Sequence, residues 1–157
     1  MDGSRIEIED AMLGGMQDWS LRVTHLIDHA ARECSGREIM TRWADGSIER
    51  TSWSGVAHDA RRLAQAFSAL GLKPGDRVAT LAMNHHRHLA TWYGAIGFGG
   101  VIHTINTRLF DEDLIYIMNH AEDRVLLYDA QFQPLVDRLK PQLKTVRHFI
   151  VFDDPDG

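Results

Sequence analysis

Short apolar runs recur through the second half of the chain, at Val78–Met83, Val101–Ile105, Arg124–Tyr128 and Arg147–Phe152, and amphipathic segments separate them. Between the second and third runs, Leu114, Ile117, Met118 and Ala121 fall at helical spacing. Two apolar strands that far apart cannot form a hairpin, so the pattern predicts a βαβ crossover, with strands that are apolar throughout because helices cover them. The four runs recur at a nearly constant interval without repeating in sequence, as successive βα units do. The predicted fold class is α/β: a parallel-stranded sheet of βα units with flanking helices, right-handed crossovers and an N-terminal β-hairpin. For the helix after the second strand, the pattern predicts Asp111 as N-cap. Glu112 and Asp113 sit on the positive end of the dipole, and Phe110 packs on Ile115 as a hydrophobic staple.

Taken in order, residues 1–17 show no sustained period and read as an extended arm. A first helix begins near Asp18 or Ser20, buries Val23, Leu26, Ile27, Ala30 and Ala31, and stops at Gly36. Residues 37–53 read as a hairpin, Glu38–Trp43 and Ser47–Trp53 around Ala44-Asp45-Gly46. Asp-Gly predicts a two-residue turn with positive φ at both positions, pairing Ala44 with Ser47, Trp43 with Ile48 and Arg42 with Glu49. Trp43 and Trp53 either present a docking surface or cover the edge of the main core, the second being the ordinary role of such aromatics. From Ser54 to Leu70 a helix places Val56, Ala60, Leu63, Phe67 and Leu70 on one face, turns Arg61 and Arg62 outward and ends at Gly71. Residues 76–152 carry the βα units: a helix from Asn84 whose Leu89, Trp92, Tyr93 and Ile96 face the sheet, and a later one marked by Phe132, Leu135, Val136 and Leu139, with Pro134 in its first turn and Pro141 at its end.

The chain has 157 residues, 44% hydrophobic and 25% charged, enough to bury a core without disulfides or metals. Its net charge of −5 is spread along the sequence, which argues against a nucleic-acid partner. The single Cys34 excludes an internal disulfide, and the acidic Ile6–Asp10 stretch is unlike a secretory signal, so the expected location is cytoplasmic. No apolar run approaches the ~20 residues that span a bilayer, so membrane contact would be peripheral at most.

Candidate chemistry is thin. Gly94, Gly97, Gly99 and Gly100 lie at the end of a helix and before a strand, the reverse of a dinucleotide fingerprint, and no G-x-x-x-x-G-K-[ST] loop occurs. Close packing and a helix stop account for them. His25 and His29 stand one turn apart but lack the glutamate of a zincin motif and further ligands. His85, His86 and His88 open a helix with diverging directions, which suits surface or capping roles rather than one shared metal. His103 and His120 read as hydrogen-bonded structural residues, and no nucleophile sits in a recognisable elbow. No catalytic, cofactor-binding or metal residue is therefore assigned.

Three segments, Met12–Trp19 (MLGGMQDW), Leu70–Gly94 (LGLKPGDRVATLAMNHHRHLATWYG) and Gly94–Tyr128, together resemble the amino-terminal region of fatty-acyl-CoA synthetases of the AMP-binding, adenylate-forming superfamily. Thr107 stands where that family often has proline in an Asn-Pro-Arg-Leu run. The resemblance implies a partial N-terminal AMP-binding domain over residues 1–157 of a ligase that converts a fatty acid and ATP to an acyl-adenylate and then to an acyl-CoA. It implies ATP, Mg²⁺ and CoA for the full-length enzyme, but the Ser/Thr/Gly-rich phosphate loop with Pro-Lys-Gly and the later family motifs do not occur here. The expectation is an inactive fragment whose partners are the missing subdomains, with self-association or homodimerisation through apolar surface. The alternative is a self-standing, non-catalytic α/β binding module.

Overall fold

A computed structural model of the chain describes residues 19–43 and 45–152. The expected arm at residues 1–17, the pairing assigned to Ala44 and the acidic turn from Asp153 lie outside the described residues. The elements run α1 (Thr24–Glu33), β1 (Glu38–Arg42), β2 (Ile48–Ser52), α2 (Trp53–Ala69), β3 (Arg77–Leu81), α3 (His86–Phe98), β4 (Val101–Thr104), α4 (Asp111–Ala121), β5 (Asp123–Asp129), α5 (Gln133–Leu139) and β6 (His148–Phe152). Four strands form one parallel sheet in the order β4-β3-β5-β6, and β1 and β2 form a separate antiparallel hairpin. The α/β class and the parallel pairing are those the apolar runs predict.

Side-chain alternation along the central strands sends residues to two covered faces. Ala79, Leu81, Leu126 and Tyr128 pack with Leu114 and Met118 of α4 and Val136 and Leu139 of α5. Val78, Val125 and Leu127 pack on the other side with Phe67 of α2 and Ala95 of α3. Strand β4 departs from the expectation of a fully buried strand: it is an edge, and Val101 is 50% exposed. β4 and β5 both pair with β3 rather than with each other, so the crossover from β4 to β5 passes over β3.

The helix termini differ from the sequence reading in instructive ways. Phe110 itself is the N-cap residue of α4 and is 77% exposed, so no staple forms; Asp111 is instead the first helical residue and pairs with Arg138. Helix α1 starts at Thr24, buries only Ile27 and leaves Leu26 63% exposed. It ends at Glu33 with Cys34 as its C-cap, and Gly36 does not take positive φ. Gly71 (φ 80°) and Gly99 (φ 90°) do stop α2 and α3 as expected. Pro134 lies in the first turn of α5 and Pro141 in the 3₁₀ turn that follows it.

The buried face of α3 is also not the predicted one. Ala90, Thr91, Gly94 and Ala95 are buried, while Leu89, Trp92, Tyr93 and Ile96 are half-buried. Small residues let α3 press against α2 more closely than large ones could. A Cβ on Gly94 would lie 2.9 Å from the Ala60 carbonyl oxygen and 2.9 Å from Leu63 Cβ.

The hairpin exists, but in a register one residue away from the predicted one. Arg42 faces Ile48, Thr41 faces Glu49 and Glu38 faces Ser52. Trp43 N–H donates to the Ser47 carbonyl at 3.0 Å, closing a three-residue loop. Within it only Gly46 (φ 91°) is left-handed among the described residues, while Asp45 Oδ1 accepts the Ser47 N–H at 2.8 Å. The Asx hydrogen bond favours this longer loop over the two-residue turn, and an odd loop shifts every pair by one.

Candidate functional site

In the strand order β4-β3-β5-β6, the chain leaves β3 for a strand on one side and leaves β5 for a strand on the other. The carboxyl ends of β3 and β5 therefore flank a crevice at a topological switch point, the usual ligand position in open α/β sheets. Here the crevice is occupied by a histidine network. Asp129, the last residue of β5, accepts the Met83 N–H on Oδ2 at 2.7 Å and faces His85 Nε2 with Oδ1 at 2.8 Å. His85 caps α3: its Nδ1 accepts the His88 N–H at 3.0 Å. Since Nδ1 is the acceptor, the ring proton sits on Nε2 and points at Asp129.

His88 is fixed in the opposite tautomer. Its Nδ1 must donate to the Met83 carbonyl at 3.0 Å, so Nε2 accepts the Thr80 hydroxyl at 2.9 Å. His86 reaches the hairpin. Thr41 Oγ1 accepts the His86 N–H at 3.0 Å and lies 2.9 Å from its Nδ1, and Glu49 stands 3.4 Å from Nε2. Burial holds the His86 and His88 imidazoles below the usual histidine range, with the Glu49 carboxylate opposing part of that shift at His86.

Trp43 seals the hairpin to this end of α3. Its ring lies 5.0 Å from that of His85, the Arg87 guanidinium sits 5.2 Å over its face, and its Nε1–H donates to Glu49 Oε2 at 3.2 Å. Between β1 and α3 opens a cleft of about 570 Å³, lined on its apolar side by Ile39, Met40, Leu89, Trp92 and Tyr93. A smaller cavity of about 90 Å³ adjoins it, sharing Asn84 and His85 and adding Arg42, Asp129 and Phe152.

These hydrogen bonds hold the imidazoles in place at the amino terminus of α3. The Thr80 hydroxyl beside His88 is 1% exposed and out of a substrate's reach. The His trio, read from sequence as surface or capping residues, divides: His85 is a cap, yet it and His86 are buried. Nothing in the sequence marks Asp129 as its partner, because the two lie 44 positions apart and meet only through the strand order.

The other histidines separate from this site. His25 accepts the Trp19 Nε1–H at 2.7 Å. His103 pairs with the fully buried Asp123 at 2.8 Å, and that hydrogen bond raises its pKa. His120 is exposed and stacks on Tyr116 at 5.4 Å, where a hydrogen-bonded structural role was expected. Arg61 pairs with Asp28 on the surface. The glycine cluster serves packing and a helix stop, as its position before β4 predicts: a Cβ on Gly100 would lie 3.1 Å from the Asp76 carbonyl oxygen.

Known proteins place this geometry. The sequence profile of the AMP-binding enzyme family matches residues 27–157. The chain is 51% identical over 140 residues to a 3-methylmercaptopropionyl-CoA ligase of Ruegeria lacuscaerulensis, covering 89% of this chain and 26% of that protein. It is 42% identical over 159 residues to a long-chain-fatty-acid–CoA ligase of Thermus thermophilus, covering 100% of this chain and 29% of that one. The fold matches the inhibitor-bound N-terminal domain of FACL13 from Mycobacterium tuberculosis with a TM-score of 0.75 at 26% identity, over 84% of this chain and 33% of that one. The chain thus spans between a quarter and a third of the length of these relatives.

Proposed function

The chain belongs to the AMP-binding enzyme family, and from that membership we propose that it forms the amino-terminal part of an ATP-dependent fatty acid–CoA ligase. Such an enzyme joins a carboxylate to the α-phosphorus of ATP, releases pyrophosphate, and passes the acyl group to the thiol of CoA. The observation that carries this reading is the alignment of the entire chain with a fatty-acid–CoA ligase at 42% identity. The stronger identity to a ligase named for a short sulfur-containing acid widens the acids to be tested.

In this reading the chain's own work is architectural. It supplies a parallel sheet, a switch-point cleft and apolar surface for the remaining subdomains and for a second subunit. Its residues do not fit a triphosphate: the amino terminus of α3 is capped by His85, and the Asp129 carboxylate stands beside it where a phosphate would need positive charge. ATP, Mg²⁺ and CoA are therefore assigned to segments outside these residues. No described helix is long and apolar enough to cross a membrane, and the assignment is to a cytoplasmic enzyme with peripheral membrane contact at most.

The test is ATP–pyrophosphate exchange with Mg²⁺ and palmitate, octanoate or 3-methylmercaptopropionate, on this chain and on the gene product read to its stop codon. Exchange by the longer protein and silence from the 157-residue chain is the expected result. Silence from both, across all acids, would favour a self-standing binding module.

A further inference from the structure

We infer that the open edge of β1 is completed by the chain's own amino-terminal arm, with Arg5–Glu9 added as an antiparallel strand that lays Ile6 and Ile8 into the cleft between β1 and α3. This goes beyond the ligase reading and does not depend on it. Among the described residues β1 has one strand neighbour, β2. Trp43 N–H donates to the Ser47 carbonyl and Trp53 N–H to the Arg37 carbonyl, so the odd-numbered residues between Arg37 and Trp43 turn their backbone groups to β2. Glu38, Met40 and Arg42 then turn their N–H and C=O groups the other way, to the open edge. That edge borders the cleft of about 570 Å³: Ile39, Met40 and Thr41 line it in succession, no residue of β2 does, and Leu89, Trp92 and Tyr93 of α3 give it an apolar floor. Such an edge takes an extended segment by main-chain pairing, with alternate side chains turned into the cleft.

The arm matches that edge in pattern, length and reach. Arg5-Ile6-Glu7-Ile8-Glu9 alternates charged and apolar residues, too briefly to mark a strand alone but over as many positions as β1 itself. Paired on β1, Ile6 and Ile8 face Leu89, Trp92 and Tyr93. Glu7 and Glu9 join the exposed outer face of the hairpin, where Arg42 and Arg50 outnumber Glu38. Helix α1 starts at Thr24, whose Cγ2 would lie 3.7 Å from a Cβ on Gly97, near the end of α3. Leu89 lies two turns back along that helix, about 12 Å away. Residues 10–18, which join the pairing segment to Trp19, span up to ~30 Å when extended. The direction also follows. β1 runs toward the amino end of α3, where Thr41 meets His86, whereas the arm runs from the cleft back toward Thr24 at the other end, so the two strands pair antiparallel.

The test is amide hydrogen exchange, read by ¹H–¹⁵N NMR on the 157-residue chain, on a chain lacking residues 1–10 and on the Ile8→Asp variant. The Met40 and Arg42 N–H groups should exchange at least tenfold faster in both altered chains than in the intact one. The Thr41 N–H, turned to β2, should exchange alike in all three and so reports that the hairpin stays folded. A synthetic peptide of residues 1–12, added to the shortened chain, should restore protection at Met40 saturably. Equal exchange at Met40 and Arg42 in the intact and shortened chains, protection that survives Ile8→Asp, or loss at Thr41 in step with Met40 would overturn the inference. Protection in the intact chain that falls on dilution would also overturn it, and would give the cleft to the arm of a second copy. Failure of the ATP–pyrophosphate exchange assay would leave these measurements unaffected.

Discussion

His85 Nε2 and Asp129 Oδ1 lie 2.8 Å apart, and this contact joins the amino terminus of α3 to the end of β5. The imidazole works at both ends: it caps the helix through Nδ1 only while its proton remains on Nε2 and faces the carboxylate. The hairpin is tied to the same point through Trp43, His86 and Glu49. The switch point is thereby a structural junction of three elements as well as a cleft.

Asp129→Asn tests the junction. An amide can still accept the Met83 N–H with its oxygen, but it then turns an NH₂ toward His85 Nε2. The ring must either lose that hydrogen bond or shift its proton to Nδ1 and give up the cap. Asp129 is 8% exposed, so a loss of about 1–3 kcal/mol is expected by urea denaturation. An unchanged midpoint would show the contact to be dispensable.

Gly94 sets the distance between α2 and α3. Gly94→Val should destabilise by about 1–3 kcal/mol, because its Cβ would meet the Ala60 backbone and Leu63 at 2.9 Å and the helices would have to part. Gly97→Ala is the control: its Cβ would meet only Thr24 Cγ2 at 3.7 Å, and the helix propensity gained is worth up to ~1 kcal/mol. Gly100→Val should also destabilise, since its Cβ would press on the Asp76 and Ala95 carbonyls at 3.1 and 3.2 Å. Thermal unfolding of the three variants orders them.

The histidines give stability two opposed dependences on pH. The Asp123 hydrogen bond raises the His103 pKa in the folded state, so its contribution is fully present below about pH 6.5 and is lost as pH rises through the folded value. Burial lowers His88, so its contribution is present above about pH 6.5 and is lost as pH falls through the folded value. Chemical denaturation at pH 5.5 and pH 9 should show His103→Gln costing more at the acid value. His88→Gln should cost more at the alkaline one. The same pH trend in both variants would contradict the assignments.

The hairpin register is checked at its turn. Gly46→Ala places a side chain at φ 91° and should cost on the order of 1 kcal/mol. Asp45→Gly should remove only the hydrogen bond to the Ser47 N–H, about 0.5–1.5 kcal/mol. In the two-residue turn that Asp-Gly suggests, Asp45 would also have positive φ and glycine there would relieve strain. Stabilisation by Asp45→Gly would therefore restore the predicted register.

The sequence by itself determined the βα units, because short apolar runs and helices amphipathic at period 3.6 are local patterns. It also determined the stops at Gly71 and Gly99, where left-handed backbone follows a helix. What it left open depended on partners distant in the chain. The hairpin slipped by one residue because a single Asx hydrogen bond chooses between loops of two and three residues. The packing face of α3 went to Ala90, Gly94 and Ala95 rather than to its large residues, because the spacing from α2 decides which side chains fit. The histidine junction was the least legible part. Three adjacent imidazoles diverge along a helix; the order β4-β3-β5-β6 brings Asp129 to His85, and the packing of the separate hairpin on α3 brings Thr41 to His86. A buried polar group must find its partner wherever the topology supplies one, and topology is a property of the folded sheet rather than of any local stretch.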